Sequence, residues 1–155
     1  MKKILFLIFV LILSLSSIAF AFEPNSKEWK LQYSDNNYSI YSYNAPPILC
    51  KLDIDNSYVE IMGHVLMIPF HESKVSHYQL KIKTGIRIKE KQMWIEYLQQ
   101  VAYDKKMELV PIKTDSSIDS WHNVLHNTVE EGYGLALFQA FKEYADSGYY
   151  AKDGK

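Results

Sequence analysis

Five histidines and a single cysteine carry most of the reactive chemistry in this 155-residue chain. His122, His126 and Glu130 recur every four residues. On a helix they would lie at about 0°, 40° and 80°, with Asp119 at about 60°. Two imidazoles one turn apart can share a transition metal, and a carboxylate one turn further on could be a third ligand. Zinc or copper is the ion such a site would take. Two features weaken it. The glutamate that follows the first histidine in metalloprotease helices is missing. His122 and Glu130 would also stand about 12 Å apart along the axis, too far for one ion. Read without a metal, the same residues form the polar flank of an amphipathic helix, with a carboxylate pairing a histidine. The spacing favours that second reading, so the expectation is no cofactor, with zinc or copper as the alternative.

His64, His71, Glu72 and His77 form a second group. His64 and His77 fall on the polar face of adjoining strands as diagonal neighbours. His71-Glu72 lies on the loop between them, and loops carry function more often than frameworks do. No spacing here matches a metal-ligand pattern. Cys50 alternates with Ile48, Leu52 and Ile54, which puts it in an inward set. A reactive thiol needs an electropositive, partly exposed setting, so Cys50 reads as a buried, inert side chain. There is no Gly-x-Ser-x-Gly, phosphate-binding glycine loop, paired-cysteine metal motif or calcium loop. No catalytic set is visible. A hydrolase with an unrecognised site remains the third function reading.

Twelve tyrosines favour contact with another protein, because each joins apolar area to a polar tip. Tyr41 and Tyr43 sit on the tyrosine-rich first hairpin. Together with His64, His71, Glu72 and His77 they make the expected binding surface. The formal net charge of −1 leaves no electrostatic footprint for nucleic acid. The first function reading is therefore a small protein-binding module, such as an inhibitor or an immunity-type partner of a toxin. The second is a transition-metal-binding protein using His122 and His126.

These readings depend on the compartment. Lys2 and Lys3 precede an apolar run from Ile4 to Leu13, and Ala19-Phe20-Ala21 supplies small residues two apart. That order is a secretory signal peptide, residues 1–21, cut after Ala21. Glu23-Pro24-Asn25 halts any helix beyond it. A retained anchor is the alternative, but the strongly apolar part is shorter than a spanning helix requires. The expected destination is the periplasm or the exterior, with no membrane association after cleavage. Residues 22–155 then suit one domain. With one cysteine the chain cannot form an internal disulfide, so its core must suffice alone.

The elements that must position these residues follow from periodicity. Trp29 to Tyr33 and Tyr38 to Tyr43 alternate around a turn-rich Ser34 to Asn37, which predicts a hairpin. Ile48 to Ile54, Ser57 to Ile68 and Val75 to Lys83 predict three more strands sharing one apolar face. In that register Leu52 lies beside Val59, Cys50 beside Ile61, Val65 beside Tyr78, and Glu60 opposite Lys83. Trp94, Ile95, Leu98, Val101 and Ala102 recur at helical spacing, predicting a helix over 88–106. Met107 to Ile112 is at best an edge strand because of Pro111. A second helix is expected over 118–131. Gly132 and Gly134 break or bend the chain before a third helix, which ends at Gly148. Strands first and helices later give an α+β fold: an antiparallel β-meander of about five strands followed by about three helices packed on its apolar face.

Overall fold

A computed structural model describes residues 22–72, 74–112 and 120–151. The expected signal peptide and Asp119 lie outside the described residues. Eight strands and one helix are present: β1 Trp29–Ser34, β2 Tyr38–Tyr43, β3 Ile48–Asp53, β4 Tyr58–Pro69, β5 His77–Arg87, β6 Gln92–Tyr103, β7 Leu109–Val110, β8 His122–Asn123 and α1 Val129–Asp146. All strands belong to one antiparallel sheet ordered β1-β2-β4-β5-β6-β7. β3 pairs with the first half of β4, beside the stretch that β2 pairs. β8 pairs with the first half of β6.

This overturns the expectation of about five strands followed by about three helices. Residues 92–103 are the longest kind of strand in the sheet, not a helix. Met93, Ile95 and Tyr97 alternate as a strand should. A register shift around Leu98 then moves Gln100 and Ala102 onto the same inner face. One extra residue in a strand breaks the period of two, and the result imitates helical spacing. The stretch read as a helix over 118–131 carries β8 and an irregular loop over 120–128, and only its last three residues, 129–131, are helical.

α1 begins at Thr128, whose hydroxyl accepts from the Glu131 N–H at 3.3 Å. Glu131 reaches back to the Asn127 N–H at 2.7 Å. Thr128-x-x-Glu131 is thus a capping-box pattern. Glu130 and Glu131 also suit the positive end of the helix. Gly132 and Gly134 do not break the helix; they lie inside it. A Cβ on Gly132 would meet Ile40 Cδ1 at 2.6 Å, and one on Gly134 would strike the Met93 sulfur. These glycines let the helix lie close on the sheet. On the sheet side Gly63 does the same: Leu137 Cδ1 lies 2.5 Å from where its Cβ would be. The helix ends as expected, with Gly148 at φ 78° and its N–H donating to Ala145.

The core lies between α1 and the inner sheet face. Ile40, Ile61, Val65, Ile82 and Ile95 are fully buried there, with Tyr133, Ala136 and Leu137 from the helix. Each such branched aliphatic stabilises the fold by roughly 1.5–3 kcal/mol through burial.

Two registers sharpen the picture. β3 and β4 pair as expected at Leu52 and Val59, but a shift between Leu49 and Lys51 sets Leu49 beside Ile61. Cys50 is the extra residue, and it is exposed. The expectation of a buried thiol fails because a bulged residue leaves the alternation. β4 and β5 pair two residues away from the expected register: Val65 faces Leu80 and Gly63 faces Ile82. A slip of two keeps every side chain on its face. Glu60 and Lys83, now diagonal, still form an ion pair at 3.2 Å.

Candidate functional site

The sheet face away from α1 carries no described helix and is open over part of its area, although Leu66 and His77 on it are fully buried. Alternation along β4 places Tyr58, Glu60, Met62, His64, Leu66 and Ile68 there. The register adds Tyr41 and Tyr43 from β2, Gln79, Lys81 and Lys83 from β5, and Gln99, Val101 and Tyr103 from β6. This face has two unlike ends.

At one end Lys83, Arg87 and Glu60 each meet a ring or an opposite charge. Lys83 pairs with Glu60 and lies 4.9 Å from the Trp121 ring centroid. The Tyr58 hydroxyl donates to Glu60 at 2.7 Å. Tyr58 meets Trp94 edge-on at 6.4 Å, and the Arg87 guanidinium lies 5.4 Å over Trp94. Gly85 sits under this cluster, because a Cβ there would fall 2.6 Å from the Tyr58 hydroxyl and 2.7 Å from Trp121.

The other end opens into a groove of about 360 Å³. Trp29 and Tyr43 stand edge to face, centroids 5.3 Å apart, and Tyr43 meets His64 in the same way at 6.1 Å. Tyr103 lines it from β6. Gln79, Lys81 and Gln99 line it as well. Lys81 makes no ion pair among the described residues. Among the described residues no carboxylate lines the groove. Desolvation first, and the Lys81 charge second, hold His64 below the usual histidine range.

His77 lies on the same face, beyond the groove. Its ring is stacked between Phe22, at 3.8 Å, and Tyr103, at 4.9 Å. It is fully buried, and Ser76 Oγ lies 3.3 Å from its Nδ1. Its Nε2 has no hydrogen-bond partner among the described residues. Burial pushes its pKa down. Phe22, next to the expected cut, is therefore packed against the sheet.

The other expected site residues separate. His64 pairs with Lys81 across the strands, so the register slip carries it away from His77. His71 Nε2 donates to the Asn36 carbonyl at 2.9 Å, and Glu72 accepts from the Tyr78 hydroxyl at 2.8 Å. Both tie the 70–74 loop down. Tyr78 is pushed up to about 12 by burial, with the Glu72 carboxylate adding to it. Tyr43 is 41% exposed and Tyr41 is half-buried.

His122, His126 and Glu130 do not share a helix. His122 is on β8, His126 in a turn and Glu130 in the first turn of α1. His122 Nε2 lies 3.3 Å from Glu130, whose carboxylate also accepts from the Tyr97 hydroxyl at 2.9 Å. His122 Nδ1 donates to the Ser120 carbonyl at 2.8 Å. Both ring nitrogens thus face acceptors, which suits a clamp between β8 and the helix. His126 instead meets Glu131 at 2.8 Å. Among the described residues no group of three or more His, Cys, Asp or Glu is placed to hold a metal ion. Cys50 Sγ lies against the Ile48 carbonyl, and partial burial holds its thiol above the usual range.

Sequence reasoning missed Trp29, Gln79, Lys81, Gln99 and Tyr103. The β5 pattern already carried a usable signal: Gln79, Lys81 and Lys83 alternate with Leu80 and Ile82. The β6 residues could not be placed while 88–106 read as a helix.

No described helix is long and apolar enough to cross a membrane. No protein-family model, curated protein or solved structure matches the chain.

Proposed function

We propose that this chain is an exported binding protein whose open-face groove receives a carboxylate-bearing segment of a partner protein. The observation that carries the proposal is Lys81, which forms no ion pair among the described residues and lines the groove together with Trp29, Tyr43 and Tyr103. A partly desolvated ammonium gains most from an anionic partner that brings its own hydrogen bonds. The Gln79 and Gln99 amides can donate to the second carboxylate oxygen or to a backbone carbonyl. Rigid aromatic walls suit the apolar part of the same segment, as in the central anchors of protein interfaces. The compartment in this proposal is the periplasm or the exterior of the cell, reached after removal of residues 1–21.

The test is a charge reversal at the groove floor. Lys81→Glu should reduce partner capture from the source cells at least tenfold, with the unfolding midpoint unchanged. Lys83→Glu, at the paired end, is the control that should spare capture while lowering stability. Equal capture by wild type and Lys81→Glu would contradict the proposal.

A further inference from the structure

We infer that β3 is a self-association edge, at which a second copy of this chain adds antiparallel about a two-fold axis through Leu52. β3 hydrogen-bonds to β4 on one side only, so its other edge offers unpaired backbone groups among the described residues. Its side chains stand in water to an unusual degree for a strand. Ile48 is 57% exposed, Leu52 55%, and Ile54, just past the strand, 78%. Cys50 is exposed as well.

The charges choose the partner. Antiparallel pairing centred on Leu52 sets Lys51 opposite Asp53 of the other copy, and Asp53 opposite Lys51. The same register sets Leu52 opposite itself, between the bulge at Cys50 and the turn that begins at Ile54. The two Leu52 side chains then meet on one face and two ion pairs form on the other. Neither Lys51 nor Asp53 forms an ion pair within its own chain among the described residues. An isologous contact needs such self-complementarity, because each residue must suit its symmetry mate. A lysine and a bulge are ordinary devices against indiscriminate edge pairing. Here the bulge at Cys50 limits how far pairing extends, and Asp53 makes the lysine selective for a copy of the same strand. Directly opposed unlike charges stabilise a strand pair, and like charges destabilise it.

The experiment is sedimentation equilibrium of the purified full-length product over a wide concentration range. Wild type should self-associate reversibly to a dimer. Lys51→Asp and Asp53→Lys, each alone, place like charges opposite one another twice. Each should weaken association about tenfold or more. An equal mixture of the two variants restores both ion pairs between unlike chains and should dimerise as wild type does. Urea midpoints will identify any variant that loses its fold.

Register is read separately with Leu52→Cys in a Cys50→Ser background. Opposed residues in an antiparallel pair have Cα atoms about 4.5–5.5 Å apart, within disulfide reach. With one thiol per chain, a disulfide can join only two chains. Under oxidised glutathione, two thiols lose two protons and two electrons to form the disulfide, and the glutathione disulfide is reduced to two thiols. The expected product is a covalent dimer joined through the two introduced thiols. A monomer at every concentration would overturn the inference. A dimer indifferent to the charge variants, or one lacking that crosslink, would overturn it equally.

Discussion

The two ends of the open sheet face are built from similar residues and arranged to opposite effect. At the Gly85 end, Lys83, Arg87 and Glu60 lie against Tyr58, Trp94 and Trp121, and each charge has a partner. At the Lys81 end, rings of the same kind meet at 5.3 and 6.1 Å and line a groove with Lys81, which forms no ion pair among the described residues. The difference begins in the backbone. Gly85 has no side chain, so Tyr58 and Trp121 can close over the strand. In the corresponding outward positions Gln79 and Lys81 carry side chains and line the groove. Aromatic and cationic content alone therefore does not separate the two ends; what separates them is that Lys81 forms no ion pair among the described residues.

Substitutions can break this contrast. The largest effect should come from Gly85→Val, which drives side-chain atoms into Tyr58 and Trp121. Overpacking of this kind costs about 1–3 kcal/mol, read from urea unfolding. Glu60→Ala removes the acceptor shared by Lys83 and Tyr58 and should cost about 1 kcal/mol, reduced by the partial exposure of the ion pair. At the groove end, Gln99→Ala should change stability by no more than about 0.5 kcal/mol, as for an ordinary surface position.

Acid should act through His77 and His64. Both folded values lie below the unfolded value of 6.5, so the unfolded chain binds more protons as pH falls. Stability is then full above about pH 6.5 and declines as pH drops through the folded values. The urea midpoint should fall between pH 7.5 and 5.5, and His77→Gln should flatten that dependence. An unchanged slope in His77→Gln would move the acid response elsewhere. The smallest effect should come from Cys50→Ser, within about 0.5 kcal/mol, because the bulge holds that side chain outside the core.

Much of the sheet was legible in the sequence. The alternation in β2, β4 and β5 is regular enough to give faces correctly even where the register was two residues off, since a slip of two preserves them, whereas bulges near Gln32 and at Cys50 change the face partway along β1 and β3. β2 was read at Tyr38 to Tyr43, the span it occupies. What misled were single-residue interruptions. The shift near Leu98 turned a strand pattern into a helical one, and the bulge at Cys50 turned an inward position outward. Gly132 and Gly134 read as breakers because their role, close approach to Ile40 and Met93, is set by residues about 40 or more positions away in sequence. The Thr128-x-x-Glu131 cap was readable and would have set the helix start. Of the candidate site, Tyr43 and His64 were named from the sequence and do line the groove. Lys81 was not, because its importance lies in lacking a partner, which only the packed sheet reveals.

The central claim is that partners bind at the Lys81 end of the open face and not at the Gly85 end. A photo-crosslinking residue placed at Gln99, and in a second variant at Glu96 on the same strand, compares the two ends directly in the source cells. The account predicts a discrete crosslinked adduct from Gln99, lost when Lys81→Glu is added, and none from Glu96. Adducts from Glu96 alone, or a Gln99 adduct indifferent to Lys81→Glu, would contradict it.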